Sequence, residues 1–231
     1  MMLINEFSTS ALCEEALLVE LTGEISTTLS KKHTVSLALA GGNTPKGLYK
    51  KLSYAPLDWE NIAVTLTDER WVDVANDASN EKMLKQTLFQ YKAKMAQFLG
   101  LKTEEETPLL GQPHINALLK ENYPTLDFIV LGMGDDGHFA SIFPAMDNTQ
   151  ALLDLKGSDL CLPALPLDKP ARMSLTLPYL LTAKRIFLFI TGGDKKEIIQ
   201  QQLDVSASPV LPIYSLLHQT LCPVTIYWSE T

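Results

Sequence analysis

The sequence is short of cysteine, of positive charge and of long apolar runs, and each shortage removes a class of protein. Cys13, Cys161 and Cys222 are its only cysteines. They are odd in number, far apart and set in apolar surroundings, and no CxxC pair occurs. Neither a disulfide framework nor a cysteine metal site is indicated. Three reduced thiols fit a cytoplasmic protein. Lysine and arginine total 19 against 27 aspartates and glutamates, a net charge of -8. That balance argues against broad binding to nucleic acid or to an anionic membrane, so any anionic ligand must meet a local basic cluster. No run approaches the roughly 18 apolar residues of a membrane span. The start, Met1-Met2-Leu3-Ile4-Asn5-Glu6, lacks the basic-then-apolar pattern of a secretion signal.

What remains is an ordinary globular composition, 46% hydrophobic and 20% charged, with no repeat, Gly/Ser linker or low-complexity tract to divide it. Helix and strand patterns alternate along the chain. After a short apolar lead-in, a helix is predicted over 8–32, where Leu18, Leu21, Ile25 and Leu29 step by three or four. A strand over 34–40 runs into Gly41-Gly42-Asn43-Thr44-Pro45, with Thr44 expected to cap the next helix and Pro45 to open it. A strand over 62–67 precedes a polar segment, 68–77, and a helix over 79–91. A short strand over 95–99 and a helix near 113–122 follow. The apolar strand over 126–131 then has the unbroken character of a parallel strand covered on both faces.

Residues 144–170, with Pro163, Pro166 and Pro170, read as a long covering loop around a short strand at 160–164. Order returns at 172–177, then a strand over 185–191, helices over 195–203 and 213–219, and a strand over 224–228. This pattern predicts one α/β domain spanning 1–231, built on a mainly parallel, doubly wound open sheet with helices on both faces. In such folds ligands bind beyond the carboxyl ends of the strands, where the unusual segments of this chain also lie.

The first of these segments is Gly41-Gly42-Asn43-Thr44-Pro45-Lys46. It is either a phosphate cradle at a helix start or a plain tight connection. Lys46 sits where a cation opposes the helix dipole by about 0.3–1 kcal/mol. Lys195 repeats that anomaly after Gly192-Gly193-Asp194, where Asp194 and Glu197 have capping-box spacing. One surface lysine is commonly just solvated, but two at strand-to-helix junctions are harder to dismiss. The second segment, Thr67-Asp68-Glu69-Arg70-Trp71, is either a solvated turn or a set of carboxylates and a guanidinium suited to a sugar ring.

The third, Gly132-Met133-Gly134-Asp135-Asp136-Gly137-His138, contains a literal GxGxxG. Its context is wrong for a dinucleotide: Pro144 cuts helix growth short, and aspartates stand where a pyrophosphate would lie. Instead the glycines strip away bulk so that Asp136 and His138 can face a pocket, and histidine is the natural general base near neutral pH. His33, His114 and His218 lack such a frame and read as structural. Metal-ligand spacings and a GxSxG elbow are absent from the sequence.

Taken in order, Gly41-Gly42-Asn43-Thr44-Pro45, Asp68-Glu69-Arg70, Ser79-Asn80, the Gly132–His138 loop and Arg172-Met173-Ser174-Leu175-Thr176-Leu177-Pro178 resemble the 6-phosphogluconolactonase family over nearly the whole chain. The resemblance implies cytoplasmic hydrolysis of a sugar phosphate lactone, 6-phospho-D-glucono-1,5-lactone, with no metal or organic cofactor and no nucleic-acid or membrane partner. A monomer or weak homodimer is expected. His138 matches the family's base and Arg70 its active-site arginine, with Asp68 and Asp136 on sugar hydroxyls or orienting the base. Gly42, Asn43, Thr44, Arg172 and Lys195 match its phosphate contacts. Two departures stand out: Asn43 replaces a common serine, and Asp73 a common proline.

Glucosamine-6-phosphate deaminases share the Gly-Asp-Gly-His segment but continue to Ala-Phe-Asn-Glu-Pro. Here the run is Phe139-Ala140-Ser141-Ile142-Phe143-Pro144, without a carboxylate. A sugar-phosphate sensor is the remaining alternative, disfavoured by the lack of a basic DNA-binding module.

Overall fold

A computed structural model describes residues 2–231. The first half of the chain forms β1 (Met2–Phe7), α1 (Ser10–Leu29), β2 (Val35–Leu39), α2 (Lys46–Leu52), β3 (Ile62–Leu66), β4 (Asp68–Arg70), α3 (Asn80–Thr87), β5 (Gln97–Leu99) and α4 (Pro108–Asn122). The second half forms β6 (Phe128–Leu131), α5 (Thr149–Leu153), β7 (Cys161–Ala164), β8 (Arg172–Leu175), α6 (Leu177–Leu180), β9 (Arg185–Thr191), α7 (Gly193–Leu203), α8 (Pro212–His218) and β10 (Val224–Ser229). Seven strands make one sheet in the order β1-β10-β9-β6-β2-β3-β5. Every neighbouring pair in it is parallel.

From β2 the chain steps outward through α2 and α3 to β5, then returns to β6 on the other side of β2 and steps the opposite way. Right-handed crossovers therefore put the two sets of helices on opposite faces. One layer holds α1, α2 and α3 in contact, and the other α5, α6, α7 and α8. The expected doubly wound sheet is what forms. All four residues of β6 are buried, as its unbroken apolar run predicts. Helix α1 buries Cys13, Leu17, Leu21, Ile25 and Thr28, so the core stripe is centred one residue from the expected line and Leu18 falls at its margin. Each fully buried leucine there contributes about 1.5–3 kcal/mol. Thr9 opens the helix by accepting from Leu12 N–H.

All three cysteines are free and buried. Burial pushes the thiols of Cys13 and Cys161 up to about 12 and that of Cys222 to about 11, which keeps them protonated and inert at neutral pH. Among the described residues no helix is long and apolar enough to cross a membrane.

Several local expectations are corrected. The lead-in is the edge strand β1, paired with β10 from Met2↔Val224 to Phe7↔Ser229. With one neighbour only, and Leu3 and Ile4 exposed, it lacks the alternation that marks a strand. The polar segment after β3 opens with β4, which pairs antiparallel with β8, itself paired with β7, in a second sheet of three strands. Helix α4 starts at Pro108, capped by Thr107, and encloses Pro113 rather than beginning there. The 144–170 loop contains α5 as well as the expected strand. Neither expected helix cap forms: Pro45, not Thr44, flanks α2, and Gly192 flanks α7, each without a side-chain hydrogen bond, so Asp194 and Glu197 make no capping box.

Strand β4 is charged yet buried because Glu69 ties it to the start of α3. The Glu69 carboxylate accepts from the N–H groups of Arg70 (2.7 Å), Asn80 (2.8 Å) and Glu81 (2.7 Å) and from Ser79 Oγ (3.1 Å). Burial pushes its pKa up even though these backbone donors pull the other way. Substituting Glu69→Gln places an NH2 against donors and leaves at least one N–H of α3 unpaired. The expected loss is about 1–3 kcal/mol of stability, read as a lower denaturant midpoint; an unchanged midpoint contradicts this role.

Candidate active site

At the centre of the large sheet β2 and β6 lie side by side, and Ala40 N–H still donates to Val130 O at 2.9 Å. Beyond that bond the two segments part toward opposite faces and open a crevice, the position where doubly wound sheets hold ligands. After β2 the chain turns through Gly41 and Gly42, the latter at φ +96°. A Cβ on Gly41 would lie 1.9 Å from Asn80 Oδ1, so glycine is required for Asn80 to reach across and donate to Asp68 O at 2.8 Å. The turn then enters α2 with no side chain capping its first N–H groups.

Strands β4 and β8 form one wall. Asp68 is buried, and its Oδ2 accepts from Ser141 Oγ at 2.6 Å and lies 3.7 Å from Arg172 Nη1. Arg172 donates weakly to Ser141 Oγ at 3.3 Å, and its Nε has no partner among the described residues. Arg70 stands directly opposite Arg172 in the β4–β8 register, with Nη1 donating to Ala78 O at 2.5 Å and its Nε likewise unpartnered. Burial pulls the Arg172 pKa down; Asp68 opposes this, and the like charge of Arg70 adds to it. Like charges directly opposite on a sheet are unfavourable, and buried donors without acceptors are costly. An anion between these guanidiniums relieves both.

The glycine loop after β6 forms the other wall. Gly137 takes φ +73°, and a Cβ on Gly134 would meet the His138 ring at 2.1 Å. Gly134 therefore leaves the space into which the imidazole folds back over the loop, while Gly137 is held to glycine by its left-handed turn and by Leu211, 2.8 Å from where its Cβ would lie. Gly134 N–H donates to His138 O at 2.9 Å and closes it. His138 Nδ1 lies 2.5 Å from Asp136 Oδ1, which also accepts from His138 N–H at 3.2 Å. Burial alone would push the Asp136 carboxyl up, but the His138 contacts and nearby Lys169 outweigh it and hold it at about 2. Asp136 is thus a carboxylate at neutral pH. A carboxylate facing Nδ1 favours a proton on that nitrogen, which leaves Nε2 as the ring atom able to accept one.

Lys195 is the third residue of α7, and its Nζ lies 3.7 Å from the exposed Asp135 Oδ1. The cleft enclosed by these walls has a volume of about 220 Å³. Gly42, Asn43, Thr44, Asp68, Arg70, His138, Arg172 and Lys195 all line it. Of the nine residues matched from sequence to the family's base, arginine, carboxylates and phosphate contacts, Asp136 alone lies off its surface, behind the imidazole. Lys46 is exposed and takes no part. His33 and His114 are exposed, and His218 is tied to Gln202 O at 2.9 Å, away from the cleft.

The structure adds Ser141, which links Asp68 to Arg172, Asn80, which sets the glycine turn, and Phe143, which stacks on the imidazole. Each lies inside a run already marked in the sequence, but its role depends on contacts across the fold. Among the described residues no group of three or more His, Cys, Asp or Glu is placed to hold a metal ion.

This arrangement combines a carboxylate-oriented imidazole with a cluster of buried and half-buried cations. The family described as glucosamine-6-phosphate isomerases/6-phosphogluconolactonase matches residues 8–226. A 6-phosphogluconolactonase of Pseudomonas putida is 34% identical over 226 residues, 97% of this chain and 92% of that protein. One of Rhizobium meliloti is 32% identical over 225 residues, 96% of this chain and 97% of its own. The crystal structure of a 6-phosphogluconolactonase from Shewanella baltica matches with a TM-score of 0.94 at 32% identity, covering 100% of this chain and 98% of that one. The chain belongs to the glucosamine-6-phosphate isomerase/6-phosphogluconolactonase family.

Proposed function

We propose that this chain is a single catalytic unit that hydrolyses 6-phospho-D-glucono-1,5-lactone to 6-phospho-D-gluconate, the lactone-opening step of the oxidative pentose phosphate pathway. The observation that carries this reading is the His138–Asp136 pair, whose free Nε2 belongs to a residue lining the same cleft as Arg70, Arg172 and Lys195. A group that can handle a proton and cations that can hold an anion thus share one cleft, as a phosphorylated lactone demands.

In the reaction a water oxygen attacks the lactone carbonyl carbon while His138 Nε2 takes one of its protons. The tetrahedral intermediate then collapses, the bond to the ring oxygen breaks, and the imidazolium returns the proton to that oxygen. The carboxylic acid formed ionises and releases one proton to solvent. Arg70 stabilises the charge that develops on the carbonyl oxygen. The Gly42-Asn43-Thr44 turn, Arg172 and Lys195 bind the phosphate through backbone N–H groups and charge.

Asp136 orients the base. Its depressed pKa means that the pairing is complete above the ordinary carboxylate range and is lost only as pH falls through about 2. The Asp68 carboxylate is already engaged by Ser141 and Arg172, so it steadies Arg172 rather than a sugar hydroxyl. The deaminase reading is not favoured: an aromatic ring, Phe143, packs on the imidazole, and the run from Phe139 to Pro144 has no acid.

Lactone hydrolysis, with the spontaneous rate subtracted, tests these roles. His138→Ala is expected to lower kcat by about 10²–10⁴-fold, the usual contribution of a general base. Arg172→Ala is expected mainly to raise KM. Lys195→Ala, which breaks only a rim contact with exposed Asp135, should do the same without disturbing the fold. Equal activity in all four proteins rejects the assignment. Ammonia release from glucosamine 6-phosphate should be undetectable, and steady release would favour the deaminase.

A further inference from the structure

Phe143 follows His138 by five residues, and the chain between them doubles back. Ala140 takes φ +48°, and Ile142 N–H donates to Phe139 O at 3.0 Å. This tight turn carries the Phe143 ring over the imidazole, with ring centroids 4.1 Å apart and planes 31° from parallel. From behind, Thr149 at the start of α5 donates through Oγ1 to Phe143 O at 2.6 Å. The ring is 4% exposed, as a core residue would be. Its neighbours, however, are polar: Arg172 Cζ lies 4.9 Å and Lys169 Nζ 4.5 Å from its centroid.

Two groups of the cleft thus rest on one ring, and each is otherwise loosely held. The imidazole has a single side-chain hydrogen bond, Nδ1 to Asp136, about which the plane can swing because the terminal torsion of histidine is soft. Arg172 has a 3.3 Å contact to Ser141, a 3.7 Å approach to Asp68 and an unpartnered Nε. A flat aromatic face supplies what these contacts lack. It blocks the swing of the imidazole and gives the guanidinium a surface on which to stack.

We propose that Phe143 is a positioning residue that fixes the His138 imidazole relative to the Arg172 guanidinium, and so sets the distance between the base and the anion grip. This rests on the lactone-hydrolysis reading above. The ring itself takes no part in bond making or breaking.

The test is a double-mutant cycle on lactone hydrolysis, with thermal unfolding to verify that each variant is folded. Phe143→Leu keeps an apolar side chain but removes the flat face. Its kcat should fall roughly ten- to a hundredfold, the scale of a small misplacement of a catalytic group. Phe143→Tyr keeps the face, and a cavity of about 120 Å³ lined by Phe143, Asp136 and Lys169 adjoins the residue. This variant should stay within roughly threefold of the parent. In a His138→Ala background Phe143→Leu should change kcat by less than about twofold, because residues acting through one group are not additive. If the Leu variant unfolds, Phe143→Met gives the same comparison.

An undiminished kcat in folded Phe143→Leu, or an equal loss with and without His138, overturns the proposal. A His138→Ala enzyme as active as the parent instead overturns the base assignment, and a parent protein with no hydrolysis above the spontaneous rate overturns the lactonase reading itself. Loss through Phe143 can therefore be told apart from failure of the base assignment.

Discussion

Two parallel strands that sit side by side while their connections leave in opposite directions cannot close the space between their carboxyl ends. That constraint, at β2 and β6, is what every other feature of the cleft depends on. The glycine turn after β2 and the glycine loop after β6 are the two lips of one opening. Each is glycine-rich for a steric reason: Asn80 needs the space at Gly41, and the imidazole needs the space at Gly134. Glycine at these points is therefore tied to the chemistry of the neighbouring side chain as much as to the backbone turn.

The second sheet supplies what the first lacks. The helices that follow the apolar parallel strands bring uncapped backbone N–H groups and their dipoles to the upper rim of the sheet, neither of which carries a fixed charge. The small sheet of β4, β8 and β7 carries Arg70 and Arg172 to that rim in register. It keeps them there through buried carboxylates, with Glu69 holding β4 to α3 and Asp68 holding Ser141 and Arg172. The two guanidiniums keep unpartnered nitrogens inside the protein. A chain of net charge -8 can still concentrate positive potential in a cleft of about 220 Å³, which is how an acidic protein binds an anionic substrate.

Much of this was legible in the order of residues. The parallel sheet followed from alternating helix and strand patterns, and the unbroken run of β6 marked a strand covered on both sides. The cleft residues stood out because glycine, charge and histidine gathered at strand ends. Two kinds of feature were hidden. Strand β4 is made of Asp, Glu and Arg, a composition that reads as a turn until Glu69 is seen to satisfy the start of α3. Edge strand β1 has one neighbour and no alternation, so pairing with β10 decides its conformation. The helix caps failed because the helix starts are displaced by a residue or two: Thr44 lies in the turn before Pro45, Asp194 already lies inside α7, and the first N–H groups of α2 and α7 are left without side-chain caps. Ser141 and Phe143 were visible as residues, but not as partners, because their contacts cross the fold.

On the proposed reading, base and anion grip line a single cleft and act on one bound molecule. A crystal structure with the product, 6-phospho-D-gluconate, measures this directly. The phosphate should lie against the Gly42–Thr44 turn, Arg172 and Lys195, with the product carboxylate beside His138 Nε2. A phosphate bound next to His138, or a product bound outside the cleft between β2 and β6, contradicts it.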